Sequence, residues 1–216
     1  MTHFVGAGTI ASDIVRKETR NGVLATFRLA TGPPGRGQIW IDVEAWGNLA
    51  GTIYQHGSNE RGVVVAGRLT LKTWRDRSTG QSRHRYVITA NDIDLLPDQL
   101  EVSTGSECHN TVLTAGVIDS DPTTRPAGSG HVTEFRLAAG RAGAKTGRLW
   151  IDVEFWQPNK TLACCQRCQV IVTGRLAYGG RGVHRGEAER GRYYISARAI
   201  QSLATGHQGH APKDAA

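Results

Sequence analysis

A chain of 216 residues with a formal net charge of +7 and a sequence pI near 9.6 has room for one large β domain or two of about 100 residues, and its basic balance points to a polyanionic partner. No apolar run approaches the roughly 18 residues of a membrane span, and no charged segment followed by a hydrophobic stretch opens the chain, so neither a spanning protein nor a signal peptide is expected and the expected compartment is the cytoplasm. Four cysteines, three of them in Cys164-Cys165-Gln166-Arg167-Cys168, lack the spacing of a secreted disulfide framework and read as reduced thiols.

Taken in chain order, runs rich in β-branched residues and bounded by Gly, Pro, Asn or Asp predict strands at 3–13, 22–31, 38–47, 62–75 and 83–96. Between the third and fourth lies Asn48-Leu49-Ala50-Gly51-Thr52-Ile53-Tyr54, whose apolar spacing permits a short helix. Residues 98–109 have little apolar periodicity and read as a linker. Five more strands follow at 110–120, 131–139, 148–157, 169–179 and 191–203, with Lys160-Thr161-Leu162-Ala163-Cys164-Cys165 in the helix position. The small, polar stretch 205–216 reads as a disordered tail.

The second set of strands repeats the first. Trp40-Ile41-Asp42-Val43-Glu44-Ala45-Trp46 recurs as Trp150-Ile151-Asp152-Val153-Glu154-Phe155-Trp156, at an offset of 110. Gly8-Thr9-Ile10 answers to Gly116-Val117-Ile118 at 108, and Val63-Val64-Val65-Ala66-Gly67-Arg68-Leu69 to Val170-Ile171-Val172-Thr173-Gly174-Arg175-Leu176 at 107, so length changes fall only between strands. The expected organisation is therefore one domain at 1–97 and a second at 110–204. The element order β-β-β-α-β-β is the OB-fold pattern, whereas SH3-like barrels rarely place a helix between the third and fourth strands. The fold class that follows is all-β: two tandem five-stranded OB-fold barrels, each with a short helix between strands three and four.

Strict alternation puts Ile41, Val43 and Ala45 on the core side of their strand and Trp40, Asp42, Glu44 and Trp46 on the other, as it does for Ile151, Val153 and Phe155 against Trp150, Asp152, Glu154 and Trp156. Outward tryptophans lose the stabilisation that burial would give, and stacking on nucleobases supplies a reason for them. The alternative is that they cover a sheet edge or fill a subunit interface. The hairpin between the fourth and fifth strands is basic, with Lys72, Arg75, Arg77, Arg83 and Arg85 around the fifth tryptophan, Trp74. Its counterpart carries Arg181, Arg185, Arg190 and Arg192 among glycines, with Tyr178 and Tyr193 nearby. Together with Arg28 and Arg136 on the second strand of each module, these are the candidate phosphate contacts, guanidinium groups being able both to pair with phosphate and to stack on rings.

Asp42 with Glu44, and Asp152 with Glu154, invite a metal-dependent hydrolase reading, but no histidine or third carboxylate lies at convincing ligand spacing. They are expected to face basic side chains, and no catalytic residue is assigned. Cys165 and Cys168 form a CxxC that Cys108-His109 could in principle complete as a zinc site. The first module has no cysteine at the matching positions, so no metal and no cofactor is expected.

The motif series Gly8-Thr9-Ile10 with Asp13, Val23 to Thr31, Trp40 to Ala50, Val63 to Leu69, Trp74, and Tyr86 to Leu96 resembles the bacterial single-stranded DNA-binding proteins. The resemblance covers nearly all of 3–96 and, more loosely, 110–203. It implies an OB-fold protein that is not an enzyme, binds single-stranded DNA without sequence preference in replication, recombination and repair, and works at the nucleoid. Trp40, Trp46 and Trp74 match the stacking positions; by internal alignment Trp150 and Trp156 do the same work, with Tyr178 beside them. Two modules per chain look like the two-domain branch of that family, which implies a homodimer with four OB-folds. Many members end in an acidic, aromatic-tipped peptide, whereas this chain ends His210-Ala211-Pro212-Lys213-Asp214-Ala215-Ala216, which speaks against recruitment of replication and repair proteins through such a tip. The loop Gly32-Pro33-Pro34-Gly35-Arg36-Gly37 also lacks the aromatic residue that some members place there. Competing readings are an RNA-binding or primosome-type accessory OB protein, and an assembly protein whose tryptophan faces are interfaces.

Overall fold

Alternating small and apolar residues make β1 (Thr2–Ile10), whose even-numbered residues turn inward, with Phe4 and Ile10 fully buried. The computed structural model describes residues 2–32, 37–97, 109–140, 148–157, 165–179 and 192–203. After β1 come β2 (Val15–Thr19), β3 (Gly22–Thr31), β4 (Ile39–Trp46), α1 (Asn48–His56), β5 (Gly62–Arg75) and β6 (Ser82–Leu95). The second half runs β7 (Asn110–Ile118), β8 (Thr123–Ala127), β9 (Gly130–Ala139), β10 (Leu149–Gln157), β11 (Gln169–Gly179) and β12 (Arg192–Ser202).

Strand pairing closes a ring in each half. β1 pairs with β3 and β5, β3 with β4, β4 with β6 in parallel, and β6 with β5. β7, β9, β10, β12 and β11 close the same circuit, with β10 and β12 as the parallel pair. Closure needs close backbone approach, and glycine supplies it at matching places. A Cβ on Gly8 would lie 2.0 Å from the Ala30 carbonyl oxygen, and one on Gly116 2.6 Å from that of Ala138. The long β5–β6 and β11–β12 ladders each slip by one residue, at Ala66/Gly67 and Thr173/Gly174, and these bulges bend the hairpins around the barrels. Inside lie Phe27, Leu29, Ile41, Val43, Val65 and Ile88 in one barrel and Phe135, Leu137, Ile151, Val153, Val172 and Ile195 in the other, all buried.

Each module has one strand more than the five expected from sequence. The expected first strand, 3–13, ends at Ile10, and β2 then returns as a separate arm that, among the described residues, pairs with β3 alone; β8 does the same on β9. The arm escapes hydrophobic periodicity because every residue of β2 is exposed. The helix expected near Asn48–Tyr54 is α1, buried through Ala50 and Ile53. Its counterpart at 160–165 falls outside the described residues except for Cys165, as does the linker, 98–109, except for His109, and the whole of the tail, 205–216.

The modules are joined strand to strand. β1 and β7 pair antiparallel from Thr2↔Thr114 to Gly6↔Asn110, merging the rings into a 12-stranded sheet. Phe4 and Val112, equivalent by the repeat offset of 108, face each other in the middle of that ladder, so a local pseudo-twofold axis passes between them. Around it the buried hydroxyls of Thr2 and Thr114 hydrogen-bond at 2.7 Å. The Asn110 side-chain amide donates to the Leu176 carbonyl at 3.2 Å and accepts from the Leu176 N–H at 2.6 Å, extending the β7–β11 ladder with a side chain.

Candidate nucleic-acid interface

β4 and β10 carry the outward tryptophans because alternation leaves them no other face. Trp40 is 51% exposed and Trp156 53%, whereas Trp46 and Trp150 are half-buried. Trp74 stands 46% exposed at the far end of the β5–β6 hairpin, with the Arg85 guanidinium 5.8 Å from its ring centroid. Tyr178 is 52% exposed near the end of β11 and packs edge-on against Tyr193, ring centroids 5.1 Å apart.

The carboxylates between the tryptophans face basic side chains. Asp42 accepts from Arg85 at 3.0 Å and from Arg28 at 3.5 Å. Its counterpart Asp152 accepts from Arg192 at 2.8 Å, with Arg136 at 4.0 Å. Both modules thus contain an Asp flanked by one Arg from the preceding strand and one from the last strand. Glu44 is buried and takes both of its hydrogen bonds from the Lys72 ammonium, at 2.6 Å each. In the tip of the hairpin, Asp76 accepts from the Ser78 hydroxyl and from the backbone of Ser78 and Thr79, which hold its carboxyl down to about 2. Arg83 pairs with Asp76 at 3.3 Å, and Arg75 donates to the Gly80 carbonyl at 2.9 Å. Arg77 is exposed.

Arg28, Lys72, Arg83, Arg85, Arg136 and Arg192, the described candidates for phosphate contact that have a carboxylate partner, keep between 28% and 55% of their side-chain surface open to solvent. The carboxylates fix their direction while solvent-facing N–H groups remain. Arg181, Arg185 and Arg190 lie outside the described residues. Between the β2 arm and β4, Val15, Thr26, Arg28, Asp42, Glu44 and Arg85 line an open groove.

The second module is more acidic at the corresponding place. Glu134 and Glu154 sit directly opposite each other on β9 and β10, both buried, with Arg125 from the β8 arm bonded to Glu134. Burial, and then the neighbouring Glu134 carboxylate, push the Glu154 carboxyl above its ordinary range, against the hydrogen bond it accepts from Trp156. Lys72 has no basic equivalent: position 179 is glycine.

Tyr86 and Tyr193, absent from the candidate site residues above, link the two tryptophan strands. Tyr86 and Tyr193, equivalent at an offset of 107, meet edge to face across the pseudo-twofold axis with centroids 5.7 Å apart and planes at 72°. Tyr86 donates to the carbonyl of Trp150 at 2.6 Å, and Tyr193 donates to that of Trp40. Burial pushes both phenols up to about 12, with Asp152 adding to the effect at Tyr86 and Asp42 at Tyr193. Their matching positions at the start of the last strand were the available signal. Among the described residues no three His, Cys, Asp or Glu side chains gather as a metal site, and no helix is long and apolar enough to cross a membrane.

Residues 1–96 match the model of the single-strand binding protein family. The chain is 34% identical over 76 residues to "Single-stranded DNA-binding protein 2" of Nostoc sp., a match covering 34% of this chain and 60% of that protein. It is 32% identical over 101 residues to "Single-stranded DNA-binding protein 1" of Synechocystis sp., covering 44% of this chain and 80% of that protein. Of the Chlorobaculum tepidum "Single-stranded DNA-binding protein 1", as of the Nostoc protein, the match spans 60% of the length. Among solved structures, the wild-type single-stranded DNA binding protein from Thermus aquaticus superposes with a TM-score of 0.68 at 18% identity, over 95% of this chain and 94% of that one. At that identity the likeness is one of fold, and it extends through both modules.

Proposed function

The chain belongs to the single-strand binding protein family, and from that premise we propose that it binds and protects single-stranded DNA without sequence preference in replication, recombination and repair. The observation that carries this reading is the duplicated tryptophan strand, with rings outward beside arginines held in place by Asp42 and Asp152. Trp40, Trp46 and Trp74 in one module, and Trp150, Trp156 and Tyr178 in the other, stack on bases; each stacked base is worth roughly 1–3 kcal/mol, and every base offers a π face. Arg28, Lys72, Arg75, Arg77, Arg83, Arg85, Arg136, Arg181, Arg185, Arg190 and Arg192 contact phosphates. The protein acts by binding alone, in the cytoplasm at the nucleoid.

The modules at 1–97 and 110–204 differ in strength. The first adds Trp74, its hairpin and a charge-balanced Glu44–Lys72 pair, whereas the second sets Glu134 beside Glu154, so the first copy binds more tightly. The working assembly is a homodimer with four modules. Supporting it, the exposed Val5 and Leu113, equivalent at an offset of 108, lie on the outer face of the β1–β7 ladder around the pseudo-twofold axis, where a second copy would cover both.

The test is competition at several salt concentrations. Oligo-dT should displace a labelled single strand, duplex DNA should compete poorly, and affinity should fall with log salt at about −0.7 per neutralised phosphate. Equal competition by duplex would overturn the reading, and a strong preference for oligo-U would favour the RNA-binding alternative.

A further inference from the structure

The turn that leads into β5 recurs before β11, with one chemical difference. In the first module the Arg61 N–H bonds the Ser58 carbonyl at 3.2 Å, Glu60 takes a φ of 68°, and the turn is fastened to the end of β1 by Glu60 N–H to the Ile10 carbonyl (2.7 Å) and Ile10 N–H to the Arg61 carbonyl (3.0 Å). In the second, the Cys168 N–H bonds the Cys165 carbonyl at 3.2 Å, Arg167 takes a φ of 70°, and the turn is fastened to β7 by Arg167 N–H to the Ile118 carbonyl (2.8 Å) and Ile118 N–H to the Cys168 carbonyl (3.0 Å). Gln166 adds a side-chain bond to the Asp119 carbonyl at 2.7 Å. A non-glycine residue in the left-handed region is held only where its surroundings fix it, and here both strand ends do so. The turn geometry therefore belongs to the module, and the second module alone places cysteine at both of its ends.

A β-turn holds its first and last Cα atoms within about 7 Å, which overlaps the roughly 4.4–6.8 Å span of disulfides. The Cys165 and Cys168 sulfurs are 2.8 Å apart, and the Cys165 N–H points at the Cys168 sulfur at 3.2 Å. Two thiolates on one tetrahedral zinc would stand about 3.8 Å apart, from Zn–S bonds of about 2.3 Å. Cys165 is exposed and Cys168 half-exposed, so small oxidants can reach them.

We propose that Cys165 and Cys168 form a thiol–disulfide exchange site whose substrates are low-molecular-weight disulfides, and that reaction closes a disulfide across the turn. The Cys165 thiol, and then its backbone N–H, hold the Cys168 thiol below its ordinary value, which makes Cys168 the attacking thiolate. Its sulfur forms a bond to one sulfur of the external disulfide, whose other half leaves as a thiolate and takes up a proton. Cys165 then loses its proton to solvent and displaces the second half from Cys168, forming the Cys165–Cys168 bond. The two protein thiols are oxidised and one external disulfide is reduced to two thiols.

The full chain, reduced and then incubated with oxidised glutathione, tests this. Two of its four thiols should disappear, and trypsin without reductant should yield 161–167 joined to 168–175. Cys164→Ser should leave that link intact, whereas Cys165→Ser should abolish it and trap glutathione on Cys168. Survival of all four thiols, a link that depends on Cys164, a bond to a second chain, or about one equivalent of zinc co-purifying and released when the pair is oxidised would each overturn the proposal.

Discussion

Tyr86 of the first module donates its phenolic hydrogen bond to the backbone carbonyl of Trp150 in the second, at 2.6 Å, and Tyr193 returns the bond to Trp40. Each module thereby fixes the strand that carries the other's leading tryptophan. The rings also meet edge to face on the axis that relates the two modules, so the junction and the tryptophan strands are one structure. Removing the hydroxyls tests that coupling. Tyr86→Phe should cost about 0.5–1.5 kcal/mol, seen as a lower midpoint in thermal unfolding. The Tyr86→Phe/Tyr193→Phe double variant should also weaken single-strand binding, although neither tyrosine is proposed to stack on a base.

High pH loads the same junction. Both phenols ionise at about 12 in the folded protein against 10 for an ordinary tyrosine, because burial disfavours the phenolate. A raised folded-state pKa contributes stability that is fully present below pH 10 and is lost as pH rises through about 12. The unfolding midpoint should therefore fall over that window in addition to any general alkaline effect. Phenolate absorbance should show late ionisations, two of which Tyr86→Phe/Tyr193→Phe should remove.

Asp42 restrains two arginines at the edge of the groove. Asp42→Asn keeps the shape and deletes the charge that opposes phosphate. Affinity for oligo-dT should rise by about fivefold at low salt, from a Coulomb term of roughly 1 kcal/mol near the surface, and the gain should shrink at high salt. Weaker binding in a salt titration would show that Asp42 serves mainly to aim Arg28 and Arg85.

Gly67 permits the bulge that bends the first hairpin. A Cβ there would sit 2.4 Å from the Thr89 carbonyl oxygen and 2.9 Å from the Ala90 Cα, both backbone atoms that cannot move alone. Gly67→Ala should destabilise by about 1–3 kcal/mol, and Gly174→Ala should do the same through Ser196, 2.4 Å away. Denaturant midpoints measure both, while Gly51→Ala, where nothing lies within 4 Å, serves as the control.

Much of this was legible because alternation writes burial into sequence. Ile41, Val43 and Ala45 against Trp40 and Trp46 needed no structure to be assigned to faces, and β-branched runs bounded by Gly, Pro, Asn or Asp located the strands that close both rings. The pairing of Asp42 and Glu44 with basic side chains was also foreseeable, since carboxylates among outward rings need partners. The choice of partner was not: Arg85 is 43 residues from Asp42 and reaches it only because β6 runs parallel beside β4. The β2 arm left no apolar trace because it buries nothing. The β1–β7 junction was hidden too, since Phe4 and Val112 alternate like any barrel residues and nothing local says that the strand has a second neighbour.

If the tryptophan strands stack on bases, intrinsic tryptophan fluorescence must respond when long oligo-dT is titrated in at low salt. Emission should fall and saturate at about 8–32 nucleotides per chain. Trp40→Ala/Trp46→Ala should lose more quenching and more affinity than Trp150→Ala/Trp156→Ala while its circular dichroism stays unchanged. Emission that does not change while the DNA binds would contradict stacking, and the tryptophan faces would then be interfaces between protein surfaces.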